Sequence, residues 1–191
     1  MDAATPATLL SVALGIGLAA AVGLRVFLPL AITAAAAALG YVDLSPSFAW
    51  LAGTPALVTL SVATVLELLA YYVPGVDNLL DAIATPAAVV AGAVVAAAVM
   101  ADLPPLVKWT TAIIAGGGAA GVTQSLTALL RAKSTAMTGG LGNGVVATGE
   151  LGGSILLTLL AIAAPVIAVG IVVLAAWLGV RLVRRLLRPA R

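Results

Sequence analysis

Long runs of Ala, Val, Leu and Gly, broken by only a few charged residues, are the feature that most constrains the fold of this chain. Hydrophobic residues make up 63% of the 191 residues and charged residues only 8%, whereas a soluble domain carries about 25% charged residues. A chain of this composition cannot cover itself with a polar surface. The sequence therefore predicts an all-α integral membrane protein with a single transmembrane domain over residues 1–191.

The apolar runs divide into about seven segments, each predicted to be a transmembrane or re-entrant helix. Their approximate bounds are 7–22, 26–39, 49–73, 83–101, 106–130, 134–149 and 154–178. Three of these segments are short for a full crossing, and Gly-rich stretches in the fifth and sixth predict broken helices. Full crossings and re-entrant hairpins are both open for residues 7–40 and 106–150. Residues 179–191 are predicted to form a basic cytoplasmic tail.

A weak internal repeat relates the two halves of the chain. Gly17 and Arg25 lie 99 residues before Gly116 and Gln124. These matches predict a 3+1+3 arrangement with a parallel repeat. Its parts would be a first repeat over 7–73, a linker helix over 83–101 and a second repeat over 106–178. The alternative is chance matching in a chain rich in Ala, Leu and Gly.

The positions of the basic residues predict the orientation in the membrane, because cytoplasmic loops carry an excess of Lys and Arg. With seven crossings and the arginine-rich C-terminus inside, eight of the nine basic residues fall on the cytoplasmic side. Only Lys108 falls outside, together with Asp2, Asp43, Asp102 and Glu150. We therefore expect a multi-pass protein of the cell (inner) membrane with its N-terminus outside and its C-terminus in the cytoplasm.

Residues 116–125 are the most polar interruption of the apolar sequence. Four glycines are followed by Thr123, Gln124 and Ser125. Irregular, polar backbone within a membrane survives where it lines a protein cavity, so this stretch predicts a cavity. The alternative is close helix packing through small residues.

Charged groups within the apolar segments are candidates for a substrate site, because each costs about 2.5–3.5 kcal/mol on insertion scales. Together with the polar stretch they predict a substrate-binding site formed by Arg25, Glu67, Thr123, Gln124, Ser125 and Arg131. In the alternative interpretation, Arg25 extends to the cytoplasmic headgroups. Glu67 would then pair structurally with Arg25 or Arg131.

A second polar set lies at Asp77, Asn78 and Asp81, with Asn143 further along the chain. Asp77 and Asp81 share one face of a helix, so we predict that this set gates the site or binds an ion. A helix cap with a solvated face is the alternative. Two carboxylates without a third ligand make a weak metal signature, and the chain has no Cys and no His. We expect no metal and no cofactor.

Five stretches together resemble one known family. They are Gly23-Leu-Arg-Val-Phe-Leu-Pro-Leu30, Tyr71-Tyr-Val-Pro-Gly-Val-Asp-Asn-Leu-Leu-Asp81, Thr85-Pro-Ala-Ala-Val-Val-Ala-Gly92, Gly116-Gly-Gly-Ala-Ala-Gly-Val-Thr-Gln-Ser125 and Arg131-Ala-Lys-Ser-Thr-Ala-Met-Thr-Gly-Gly-Leu-Gly-Asn143. The combination is similar to a group of small bacterial membrane proteins catalogued only as a domain of unknown function (DUF4126-like). The resemblance implies that these polar patches belong to one recurring design, and it supplies no activity, substrate or catalytic residue.

The sequence favours a small helical membrane transporter or channel that moves a small anionic or polar solute through a central polar site. The alternatives are a lipid-binding or lipid-flipping protein and a structural or assembly subunit. An enzyme is disfavoured, because no metal or nucleophile accompanies the few carboxylates. The expected partners are membrane lipids, a small solute or ion, and a second copy packed through small residues. Nucleic acid is not expected, since arginines after a membrane span are ordinary headgroup anchors.

Overall fold

A computed structural model describes residues 5–73 and 76–186, without the side chains of residues 76–79, 81 and 182–186. Every regular element within these residues is helical, which confirms the all-α prediction. The elements are α1 (Pro6–Val22), α2 (Phe27–Ala38), a 3₁₀-helix (Pro46–Ala52), α3 (Thr54–Tyr71), α4 (Val76–Val99), α5 (Pro105–Thr111), a π-helix (Ala112–Gly117), α6 (Gly118–Thr138), α7 (Asn143–Ala163) and α8 (Pro165–Leu186).

The helices have the length and composition of a membrane protein. Four helical stretches in the described residues are long and apolar enough to cross a membrane: Thr54–Tyr71, Ala82–Val99, Pro105–Thr138 and Asn143–Ala163. Shorter apolar helices cover Pro6–Val22, Phe27–Ala38 and Pro165–Arg181. Many of their large apolar side chains are exposed on the outside of the bundle, as lipid contact requires.

The glycine cluster does not break its helix, contrary to the prediction for the fifth segment. The helical stretch Pro105–Thr138 is continuous, and α5, the π-helix and α6 follow one another without a gap. Gly116 packs so closely on α4 that a Cβ atom there would lie 2.6 Å from the Cβ of Ala96. The glycines therefore serve close helix packing, which small residues commonly do in membranes.

The last two helices also differ from the predicted segments 134–149 and 154–178. Helix α6 ends at Thr138, where Gly139 and Gly140 adopt positive φ angles of 61° and 92°. Left-handed glycine is a common helix terminator, and the turn after the fifth segment therefore lies at residues 139–142, later than the predicted 131–133. Helix α7 then runs without interruption from Asn143 to Ala163, and a single residue, Ala164, separates it from α8.

Helix α1 is the centre of the bundle and packs on α4, α6, α7 and α8. Its second half is almost entirely buried. Gly17 lies so close to α7 and α8 that an added Cβ would come within 2.9 Å of Ala161 and 3.2 Å of Ala168. Small residues on α1 thus bring four neighbouring helices into direct contact with its backbone.

Contacts between helices fix the direction of each pass. Helix α4 is antiparallel to α1, since Gly15 faces Ala96 while Gly92 faces Ala19. With α5, the π-helix and α6 counted as one, the described chain makes seven passes that alternate in direction. The C-terminal ends of α1, α3, α6 and α8 meet at one end of the bundle, which we call the arginine end.

The opposite end of the bundle, the lysine end, is where α4 ends and α5 begins. There Lys108 is buried, and its Nζ lies 3.4 Å from the hydroxyl of Ser45. The backbone N–H of Ser45 in turn donates to the carbonyl of Ala98 at 2.7 Å. These contacts attach the loop before the 3₁₀-helix to the C-terminus of α4.

The helix bounds do not support the internal repeat. Shifting α2 by the 99-residue offset gives 126–137, which lies within α6 rather than in α7. Shifting α3 gives 153–170, which crosses the break at Ala164. The offset therefore relates similar residues in an Ala-rich chain, and it does not relate equivalent helices.

Candidate functional site

Arg25, Arg131 and Glu150 form a buried ionic cluster at the arginine end. Arg25 follows the end of α1, Arg131 lies two turns before the end of α6, and Glu150 lies two turns into α7. Their exposed fractions are 1%, 2% and 5%. Oε2 of Glu150 accepts a hydrogen bond from Nη2 of Arg131 and lies 3.2 Å from Nη2 of Arg25. One carboxylate oxygen thus contacts two guanidinium groups.

Tyr71, the last residue of α3, completes what we call the arginine cluster: Arg25, Arg131, Glu150 and Tyr71. Its ring is buried, with Cζ of Arg25 3.9 Å and Cζ of Arg131 4.2 Å from the ring centroid. A desolvated cation–π contact is worth about 2 kcal/mol. The aromatic ring therefore offsets part of the repulsion between two guanidinium groups held close together.

Arg25 retains unused hydrogen-bonding capacity. Its Nη2 donates to the backbone carbonyl of Ala147 at 2.8 Å. Its Nε and Nη1 are buried and have no hydrogen-bond partner among the described residues, and the same holds for Oε1 of Glu150. A buried polar group left without a partner costs about 1–3 kcal/mol. The two nitrogen atoms of Arg25 are therefore suited to donate to an anion or to water, and Oε1 of Glu150 is suited to accept from water.

Glu67 lies beside the cluster but pairs with backbone rather than with an arginine. Its carboxylate accepts from the N–H of Val26 at 2.8 Å and from the N–H of Phe27 at 3.1 Å. These groups belong to the first turn of α2, whose N–H groups have no partner within the helix. The sequence offered Arg25 or Arg131 as structural partners of Glu67, whereas each of these arginines forms a salt bridge with Glu150. Glu67 caps α2 and so helps to place Arg25, which precedes it.

The polar residues of α6 diverge from one another. Gln124 is buried, whereas Ser125 is exposed and donates to the carbonyl of Gly121 at 2.7 Å. The hydroxyl of Thr123 donates to the carbonyl of Ala119 at 2.9 Å. Consecutive helical residues point about 100° apart, so three in a row cannot face one site. Ser125 lies on the outer surface, away from the cluster.

Of the four residues predicted to gate the site, the structure places the side chain of only Asn143. Its amide donates to the hydroxyl of Thr135 at 2.8 Å and ties the start of α7 to α6. The side chains of Asp77, Asn78 and Asp81 lie outside the described residues. Asn143 stands two turns before Glu150 on the same helix.

Sequence reasoning missed Tyr71 and Glu150. The expected topology put Glu150 on the outside and Arg131 on the inside, and their direct contact rules out opposite faces. The error follows from the break between α7 and α8, which lies at Ala164 rather than at the predicted residues 150–153. The available signal was a lone carboxylate within a strongly apolar run.

An apolar cavity of about 500 Å³ lies among α1, α6, α7 and α8. Apolar side chains and glycines form nearly all of its wall, and Thr123 contributes a hydroxyl that is already bonded to Ala119. Leu24 and Gly153 line its end nearest to the cluster. Leu24 immediately precedes Arg25, and Gly153 lies about one turn after Glu150. The cavity and the arginine cluster are therefore neighbours.

A protein-family model described as Domain of unknown function (DUF4126) matches residues 12–185 of this chain. No curated protein and no solved structure matches it. The matched range contains the whole arginine cluster, most of α1, and helices α2 to α7 in full. The chain therefore belongs to the family whose common feature is this domain of unknown function, DUF4126.

Proposed function

We propose that this protein is a small helical membrane transporter or channel that binds a small anionic or polar solute at the arginine cluster. One observation carries the proposal: Arg25 is 1% exposed among apolar helices, yet two of its nitrogen atoms find no acceptor among the described residues. Charged groups inside membrane bundles mark substrate and ion pathways. A guanidinium group with free N–H donors suits an anion or a carbonyl oxygen.

Glu150 gives such a site its reversibility. Its Oε2 already contacts both arginines and acts as an internal counter-ion. The positive charge that attracts an arriving anion is therefore partly neutralised by Glu150. Passage through a membrane requires binding that is strong enough for entry and weak enough for release. Glu150, with Glu67 beside Arg25, thus moderates the attraction of the arginines for a singly charged solute.

Close packing beside the cluster favours a transporter over an open channel. A Cβ atom at Gly23 would lie 2.4 Å from the carbonyl oxygen of Ala120 and 2.7 Å from Cβ of Thr123. No solute passes between α1 and α6 at this level unless the helices separate. We therefore propose at least two conformations, with the cluster as the site that both share.

Flux into proteoliposomes tests the proposal. The wild type would be compared with Arg25→Ala and Arg25→Lys across a panel of inorganic and small organic anions. Lys133→Ala is the matched control, because Lys133 is an exposed cation two residues beyond Arg131 on α6. We expect at least a tenfold loss of flux in Arg25→Ala, an intermediate rate in Arg25→Lys, and a wild-type rate in the control.

Thermal unfolding of each variant in detergent would separate loss of function from loss of folding. Arg25→Lys keeps the charge and serves as the folded variant if Arg25→Ala unfolds. Absence of flux for every anion in the panel, or equal rates in all variants, would refute the transport proposal.

Lipid flipping is a second candidate, favoured by the apolar cavity of about 500 Å³ beside the cluster. The same proteoliposomes, prepared with a fluorescent phospholipid and quenched from outside, would report it. Quenching beyond the outer leaflet that Arg25→Ala abolishes would favour flipping. Quenching limited to the outer leaflet would exclude it.

A further inference from the structure

We propose that the anion taken by the arginine cluster is a long-chain carboxylate whose hydrocarbon chain occupies the apolar cavity. This inference rests on the proposed function and names the class of its substrate. The observation behind it is the position of the cavity. Two of its lining residues, Leu24 and Gly153, are close in the chain to Arg25 and Glu150.

The cavity has the size and lining of a site for one hydrocarbon chain. Its volume of about 500 Å³ lies within the usual range for small-molecule sites. It extends along α1 from Ile16 to Leu24, a distance of roughly 12 Å at the helical rise. Thr123 brings the only hydroxyl group among its lining residues, and that hydroxyl is bonded to its own helix. A ligand with polar groups along its length would find no partner there.

The arginine cluster determines which chemical group the polar end of the ligand carries. Leu24 lines the cavity and is followed directly by Arg25, and Gly153 lines it one turn after Glu150. Arg25 holds Nε and Nη1 without an acceptor among the described residues. Nη1 is cis to Cδ and Nε–H points away from it, so these two donors do not form a bidentate fork, but either of them can donate a charge-assisted hydrogen bond to a carboxylate oxygen. A chain in the cavity would therefore end at a matching anion site.

The burial of the cluster selects a small headgroup. Arg25 and Arg131 are 1% and 2% exposed, so a phospholipid head with its glycerol and polar substituent would have to leave water. A carboxylate brings only two oxygens. The burial of the cluster therefore favours a fatty-acid-like molecule over a phospholipid.

Photo-crosslinking tests this assignment with the full chain in nanodiscs of zwitterionic phosphatidylcholine. The probe is palmitic acid that carries a diazirine near its methyl end, and the comparison probe is the corresponding fatty alcohol. We expect the acid to label cavity-lining residues of α6, α7 or α8 and to be displaced by unlabelled palmitate. The alcohol should label them several-fold less.

Two leucine substitutions provide a matched pair. An added Cβ meets open space at both Gly118 and Gly152, but only Gly118 lines the cavity. Gly118→Leu should fill the cavity and reduce acid labelling several-fold, whereas Gly152→Leu should leave it unchanged. Arg25→Gln should lower acid labelling to the level of the alcohol.

Equal labelling by acid and alcohol, or equal labelling in the two leucine variants, would overturn the inference, because ordinary annular lipid contact would then explain the signal. Arg25-dependent flux of small anions without specific palmitate labelling would also overturn it and leave the transport proposal standing. Specific palmitate labelling without flux of any anion, palmitate included, would support the binding site and count against transport.

Discussion

A single oxygen atom, Oε2 of Glu150, contacts both buried guanidinium groups of the protein's arginine cluster. Removing one partner of a buried ion pair leaves an uncompensated charge and costs about 3–5 kcal/mol. Glu150→Gln removes the carboxylate that contacts both arginines, so we expect a loss of unfolding free energy within that range. Unfolding in detergent, followed by circular dichroism, measures it.

The control for this change is Asp102→Asn, which alters the same charge at an exposed position beyond α4. Surface substitutions usually change stability by less than about 0.5 kcal/mol. If both variants lost the same stability, the cluster would not be held together by Glu150.

Glu67 contributes to stability in another way, through two backbone N–H groups at the start of α2. Replacing a helix-capping acceptor costs about 0.5–2 kcal/mol. Glu67→Gln keeps one acceptor oxygen and Glu67→Ala keeps none, so the alanine variant should lose more stability than the glutamine variant. The same unfolding measurement tests this order, and a reversed order would argue against capping.

At the residue scale, the sequence identifies the cationic residues within the apolar helices, but it does not predict which residues contact them. Arg25 and Arg131 are identifiable because charges are rare within apolar helices. Glu150 was not assigned to them, since its depth depends on the turn at residues 139–142. Ser125 was assigned to the site from neighbouring sequence, whereas its direction depends on helical phase, and its side chain is exposed.

Among the elements, the π-helix Ala112–Gly117 packs closely against α4 through its glycines. Gly116→Ala would bring a methyl group within 2.6 Å of Cβ of Ala96, and overpacking costs about 1–3 kcal/mol. Gly149→Ala is the control, because an added Cβ at this position of α7 has no neighbour within 4 Å. We expect the first variant to be destabilised and the second to gain up to about 1 kcal/mol of helix stability. Equal effects would show that the contact between α4 and the π-helix is unimportant.

At the scale of the elements, glycine has different structural roles at two places in the chain. Glycines at 116–118 predicted a break, yet they lie in continuous helix, and Gly116 and Gly117 pack against α4. Gly139 and Gly140 do end a helix, with positive φ. The role of each glycine depends on its neighbours. Within a membrane bundle, the helices packed against a glycine determine whether it stays in a helix, and the sequence of one segment does not identify those helices.

For the whole molecule, the arginine end carries the charge pattern of a cytoplasmic face, and we expect it to lie there. Because the chain has no cysteine, single-cysteine variants test the orientation directly. Ser47→Cys is exposed near the lysine end, and Leu141→Cys is 86% exposed in the turn at the arginine end. An impermeant maleimide should label the first in intact cells and the second only after permeabilisation. The opposite pattern would reverse the orientation.

The central position of α1 has a consequence for biogenesis. Ribosomes make α1 before α4, α6, α7 and α8, which are the helices that cover it. Until those helices are inserted, the glycine- and alanine-rich surface of α1 lacks its main partners, and Tyr71 of α3 is the one member of the arginine cluster already made that contacts Arg25. The burial of α1 is therefore completed by helices made after it, and chains interrupted before α7 lack the carboxylate of Glu150 that neutralises Arg25.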